Sequence, residues 1–127
     1  MAVKFISEKD AQSERIGPPH QRVIRHLVAP WTLGSKNVWV GTSAVDPGFT
    51  SNEHSHADQE EIFYCVSGAG QCRVDGEVVD MGPGDVVYVP PGAMHQLVNP
   101  GTEVFKVVAV VSPPFVPEKF KQDHDLS

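Results

Sequence analysis

Within its 127 residues the chain has no apolar run that approaches the ~20 residues a membrane span requires. The N-terminal stretch MAVKFISEKDAQSER contains no continuous apolar segment, so no secretory leader is predicted. From these two absences we expect a cytoplasmic protein. Basic runs are also missing: 10 Lys and Arg stand against 16 Asp and Glu, for a net charge of −6. That balance argues against nucleic acid or an anionic membrane surface as a partner. Only 2 cysteines occur, Cys65 and Cys72, too few for a disulfide scaffold. In a reducing compartment both are expected as thiols. Repeats, low-complexity tracts and any convincing long helix are absent as well.

What is present is a chain of one-domain size in which 40% of residues are hydrophobic, enough for a core. Residues 21–28 (QRVIRHLV) and 37–45 (NVWVGTSAV) suit strands. So do EEIFYCV, QCRV, EVVDM, the stretch from Asp85 to Val89, and TEVFKVVAVVS. Asp75-Gly76 is a two-residue hairpin signal. Gly68-Ala69-Gly70 reads as another tight hairpin, placing Cys72 opposite Cys65. An adjacent-strand disulfide there would be strained. Short strands with Gly, Pro and Asp-Gly turns predict an all-β fold, an antiparallel double-sheet jelly roll. We divide the chain into an N-terminal arm (1–20), a barrel (21–112) and a C-terminal tail (113–127). The arm is read as irregular or as a short edge strand. In the tail Phe115 and Val116 are expected to dock and the last residues to be mobile. The near-continuous apolarity of residues 102–112 predicts burial on both faces, with a core on one side and a subunit interface on the other. Hence a homodimer is expected.

Chemistry concentrates in two blocks. His54 and His56 are two residues apart, so on extended chain both imidazoles share one face. A carboxylate follows, from Glu60 or Glu61; Glu61 shares its face with Phe63 and Cys65. In the second block Pro90-Pro91-Gly92 ends a strand and aims His95 inward, with Leu97 on the same side. Three imidazoles and one carboxylate can close on a single metal ion. Asn99, ahead of Pro100-Gly101, suits a turn bond better than a metal. His20, His26 and His124 are read as surface or hydrogen-bonded residues. Cys65 is read as a small buried hydrophobe, the alternative being a thiol lining the pocket. Arg73 is expected to point outward.

These two blocks resemble the signature motifs of the cupin superfamily. Gly48, His54, His56, Glu61 and Gly68 fit G(X)5HXH(X)3–4E(X)6G. Gly84, Pro90, Gly92, His95 and Asn99 fit G(X)5PXG(X)2H(X)3N. The resemblance implies a double-stranded β-helix barrel and selects Glu61 over Glu60, giving His54, His56, Glu61 and His95 as metal ligands. Such a donor set suits one divalent transition metal per subunit: Fe, Mn, Ni, Co, Cu or Zn. With open positions on the ion, a small oxygenated ligand could bind through two oxygens. The implied activity is that of a metal-dependent enzyme of dioxygenase, decarboxylase, isomerase or lyase type. The alternative is a metal-dependent binding or sensor module without turnover. For proton transfer Cys65, Tyr64, Tyr88 and the arginines are candidates, none of which the sequence places in a pocket.

Overall fold

Alternation of buried and exposed side chains builds two antiparallel sheets in the computed structural model, which describes residues 3–124 and residue 126. After a 3-10 turn (Glu8–Asp10) the strands run β1 (Ser13–Ile16), β2 (Arg22–Val28), β3 (Trp39–Val45), β4 (Glu60–Ser67), β5 (Gly70–Val74), β6 (Glu77–Met81), β7 (Val86–Val89), β8 (His95–Val98) and β9 (Phe105–Ser112). One helix, α1 (Pro117–Asp123), follows. The larger sheet has the order β1-β2-β3-β9-β4-β7 and the smaller one β6-β5-β8. Residues 50–54 extend the smaller sheet beyond β8 through the bridges Thr50–Val98 and His54–His95. This is the double-sheet barrel expected from the turn pattern. No helix among the described residues is long and apolar enough to cross a membrane.

The core lies between the sheets. On β4 the alternation buries Glu61, Phe63 and Cys65 and exposes Glu60, Ile62 and Tyr64. On β9, Phe105, Val107, Ala109 and Val111 are buried and meet β4 and β3 side chains. Asp75 and Gly76 both have positive φ (48° and 84°), the backbone a two-residue hairpin between β5 and β6 demands.

The stretch from Gly68 to Gly70 departs from the expected hairpin. β4 pairs with β7 and β9, whereas β5 pairs with β6 and β8, so the turn carries the chain from one sheet to the other. The crossing presses against β9: a Cβ on Gly68 would come 2.0 Å from the Val104 carbonyl oxygen. Cys65 and Cys72 therefore lie in different sheets rather than opposite each other. Both are free and fully buried, and burial pushes the Cys72 thiol up to about 12.

Within one subunit the outer face of β9 is half-buried, because the neighbouring strands shield Lys106, Val108, Val110 and Ser112 in part; any further cover would come from a second copy. One other expectation is corrected. The tail is not loose over its described length. Gln59 Nε2 donates to the Pro113 carbonyl (2.8 Å), and Phe115 and Phe120 pack with Trp39 and His26 in edge-on contacts. Phe115 docks as expected, but Val116 is 55% exposed. Asp125 and Ser127 in the tail, and Met1 and Ala2 in the arm, lie outside the described residues. Elsewhere in the arm, β1 is an edge strand on β2, and Glu8 bonds Thr42 Oγ1 and Lys106 Nζ on the outer sheet face.

Phe120 is the apolar anchor of a helix too short to stand alone. Phe120→Ala is expected to cost roughly 3–5 kcal/mol in denaturant unfolding. A loss under about 1 kcal/mol would mean that α1 is not packed on the barrel.

Candidate metal centre

Both sheets and one bridging segment contribute to a single cluster. Glu61 comes from β4 in the larger sheet, His95 opens β8 in the smaller one, and His54 and His56 lie on the connecting segment. A reciprocal backbone pair ties that segment to β8: His54 N–H donates to the His95 carbonyl (3.1 Å) and His95 N–H to that of His54 (2.8 Å). Gly92 N–H donates to the His56 carbonyl (2.8 Å), so the Pro90-Pro91-Gly92 turn also sets the position of His56. One potential ligand atom from each of His54, His56, Glu61 and His95 lies within 4.8 Å of all the others.

Each imidazole is held from behind. His54 Nδ1 donates to the Asn52 carbonyl (2.9 Å) and His95 Nδ1 to that of Ala93 (3.1 Å). His56 Nδ1 donates to the Asp123 carboxylate (2.8 Å), which also pairs with Lys119. Carbonyls and carboxylates only accept, so each Nδ1 bears the proton and each Nε2 turns its lone pair away from that acceptor. The same outward anchoring fixes tautomer and ring orientation in metal-ligating histidines.

The inward groups are electron-rich. Glu61 Oε1 lies 3.2 Å from His56 Nε2 and 3.1 Å from His95 Nε2. His95 Nε2 is buried with no properly aligned hydrogen-bond partner among the described residues. Lone pairs converging on a buried carboxylate repel one another unless a proton or a metal cation lies among them, and a divalent ion serves all of them at once. The four residues therefore fit a metal, and the oxygen and nitrogen donors suit a transition ion better than a closed thiolate zinc site.

Electrostatics follow the same geometry. Burial alone would raise the Glu61 carboxyl, but a second proton on the ring of His56 or His95, carried at the Nε2 that faces it, outweighs burial and holds it below the ordinary carboxylate range. Burial, aided by His95, lowers His54 to about 4 and keeps it neutral at pH 7. For His95 burial acts downward, yet the Glu61 carboxylate prevails and its pKa rises. Glu60, the other carboxylate considered, points away from the cluster and accepts from Tyr88 Oη (3.0 Å).

The remaining expected residues are easily placed. Asn99 Nδ2 donates to the Val45 and Glu103 carbonyls, and Gly101 N–H to Asn99 Oδ1, so it organises a turn. Leu97 lines the cavity beside His95. Cys65 Sγ faces the Ser67 and Gly68 carbonyls and Arg73 is exposed, so neither reaches the site. His26 is buried and hydrogen-bonded to Trp39 Nε1 (3.1 Å), and His20 Nδ1 lies 3.2 Å from the Thr50 carbonyl oxygen. His124 is buried too, and its Nδ1 donates to the Phe120 carbonyl (2.8 Å).

Three residues were not placed at the site by the sequence reading: Arg22, considered only among the arginines as a group, His124, read as surface or hydrogen-bonded, and Asp123. The last two arrive with α1. Pro117 at its first turn, Glu118 beside it and Lys121 in its last turn were the available helix signals. Nothing local marks Arg22 as inward-facing, because β2 alternates imperfectly.

The fold is a small β-barrel of the jelly-roll class, with a donor cluster that could hold a metal ion. The chain belongs to the cupin family: the Cupin_2 model, a cupin domain, matches residues 41–111. Among curated relatives, an uncharacterized protein of Streptomyces coelicolor is 38% identical over 82 residues, covering 65% of this chain and 76% of the relative. The tetracenomycin polyketide synthase protein TcmJ of Streptomyces glaucescens is 28% identical over 100 residues, covering 77% and 67%. Solved structures share the fold at lower identity. A predicted oxalate decarboxylase from Thermotoga maritima superposes with a TM-score of 0.77 at 23% identity, over 86% of this chain and 98% of that one. The polyketide cyclase RemF of Streptomyces resistomycificus gives 0.75 at 21%, over 93% and 89%.

Reconstituted with a divalent transition metal, His54→Ala, His56→Ala, His95→Ala and Glu61→Gln are each expected to lose stoichiometric metal. Glu60→Gln keeps it. Asp123→Asn, which weakens the hold on His56, is expected to lower affinity about 10- to 100-fold. Elemental analysis and competition with a chelator measure both. Full metal in any of the four ligand variants would remove that residue from the set.

Proposed function

We propose that the chain is a metal-dependent enzyme acting on a small oxygenated metabolite, with one divalent transition metal per subunit held by His54, His56, Glu61 and His95. The observation that supports this most strongly is the convergence of three back-anchored imidazoles and a buried carboxylate in a cavity. When bound, such an ion supplies Lewis acidity toward a carbonyl or carboxylate oxygen.

The chain's own residues do the rest. Ile24, Trp39, Phe63, Leu97, Ala109 and Phe115 wall the cavity and exclude water. About 30 Å³ is open to the centres of water-sized spheres, room for a small ligand only. His124 lines the same cavity. Its Nδ1–H is taken by the Phe120 carbonyl, so its Nε2 is the acceptor. Burial, then His54, holds it well below the ordinary histidine range, so it is neutral at pH 7. A neutral imidazole that is not a proposed ligand offers Nε2 to a bound molecule as a hydrogen-bond acceptor; with its basicity lowered by burial, it would take a proton only from a molecule that a bound metal ion had made more acidic. Tyr64 and Tyr88 are on the outer sheet face and are poor substitutes.

This acceptor favours proton-transfer chemistry, of isomerase, decarboxylase or lyase type, over oxygen insertion. Two structural neighbours, the predicted oxalate decarboxylase and a putative sugar phosphate isomerase from Acidithiobacillus ferrooxidans, accord with that direction. The metal-loaded chain is expected to convert a member of a panel of α-oxo acids, hydroxy acids and diketones, followed by proton NMR in deuterium oxide. His124→Ala should keep its metal and lose about 10²- to 10⁴-fold in rate. Oxygen consumption with product would move the chain to the dioxygenases. Tight binding with no product would make it a sensor module.

A homodimer is part of the proposal. Ile62, Tyr64, Val86 and Tyr88 are exposed on the outer face of the larger sheet, next to half-buried Val108 and Val110. Register makes them one patch: Ile62 lies against Tyr88 and Val110, and Tyr64 against Val86 and Val108. Apolar side chains continuous over three strands suit a second copy of the same face. Sedimentation equilibrium should give a dimer for the native chain and a monomer for Tyr64→Lys with Val86→Lys. A monomeric native chain contradicts this.

A further inference from the structure

Arg22 is among the most deeply buried large side chains, 2% exposed, and it lines the same cavity as His54, Glu61 and His95. A guanidinium in such a place normally faces a carboxylate. Here no carboxylate among the described residues lies within 4.0 Å of it. Its acceptors among the described residues are neutral: Nη1 donates to the His20 carbonyl (2.8 Å) and Nη2 to Asn52 Oδ1 (2.7 Å). Those bonds fix the plane of the group, and the remaining N–H donors have no acceptor among the described residues. Asn52 in turn donates through Nδ2 to the Asp123 carbonyl (2.9 Å), which ties the arginine to the support of His56. Burial lowers its pKa only to about 10, so the group stays charged at neutral pH.

Among the described residues, the charges near the cavity do not balance without an anion. Glu61 is the carboxylate inside it, and Asp123 is already paired with His56 and Lys119. A divalent ion beside Glu61 leaves one surplus positive charge, and Arg22 adds another. We propose that Arg22 is the specificity-determining residue of this site and that it selects a small α-oxo or α-hydroxy carboxylate, whose carboxylate it receives by charge-assisted hydrogen bonds. The cavity has room for a small ligand, and the guanidinium fork receives a planar carboxylate through two parallel bonds; a phosphate ester would satisfy the same fork and is distinguished by the test below. This deepens the function proposed above and rests on its metal site.

The test compares pyruvate with diacetyl, which are close in size, each with two adjacent oxygens, and differ in charge. Calorimetry on the manganese-loaded full chain should show pyruvate binding at least about tenfold tighter than diacetyl. In Arg22→Met pyruvate should weaken by about 10- to 100-fold and diacetyl by less than about threefold. Arg22→Lys should recover part of the preference. Equal affinities in the native chain, or an unchanged pyruvate affinity in Arg22→Met, would overturn the proposal, as would methyl phosphate binding in preference to pyruvate. If Arg22→Met does not fold, the native chain and Arg22→Lys still decide it. Elemental analysis separates the two readings. A chain that takes up no metal defeats the metal-enzyme reading, and the arginine is then judged by whether pyruvate but not diacetyl raises the melting temperature of the metal-free protein.

Discussion

Everything near the site depends on one electrostatic arrangement: a buried carboxylate, Glu61, facing the Nε2 atoms of His56 and His95, with each of the three imidazoles tethered at Nδ1. Burying a carboxylate and several lone pairs together is costly by itself. A barrel could pack well with apolar residues in those positions. Arranging these groups to converge is sensible if a cation joins them, and the tethers ensure that the rings do not turn away when it does.

The fold serves that arrangement through backbone bonds. The His54–His95 pair couples the bridging segment to β8, and the adjoining turn at Gly92 holds His56 by its carbonyl. Glu61 reaches the same point from the opposite sheet because the period-two alternation of β4 puts it inward. The C-terminal helix then closes the arrangement. Phe115 and Phe120 seal it against Trp39, and Asp123 supports His56. The helix thus links packing to chemistry: displacing it exposes the core and frees a histidine.

Much of this was legible in the sequence. Two-residue spacing put His54 and His56 together, and motif position distinguished Glu61 from Glu60. Asn99 was correctly read as a turn residue, and Asp75-Gly76 as a hairpin. These are local signals, decided within a few residues. What was not legible depends on distant partners. Gly68-Ala69-Gly70 has hairpin composition, but whether a Gly turn folds back or crosses between sheets is decided by β9, some 35 residues later. The tail reads as polar and Pro-rich because its helix has one apolar anchor, and only Trp39 and His26 reveal why that anchor is enough. Arg22 looks like any surface arginine until His20 and Asn52 are seen to receive it.

The central claim is that three imidazoles and the Glu61 carboxylate surround one ion. The most direct measurement is the metal-edge X-ray absorption spectrum of the full chain, purified without tag or chelator and reconstituted with a transition metal. The account predicts multiple-scattering features of three imidazoles, light-atom first neighbours and no sulfur. A sulfur neighbour, or fewer than two imidazoles, would contradict it and place the ion outside the cluster formed by His54, His56, Glu61 and His95.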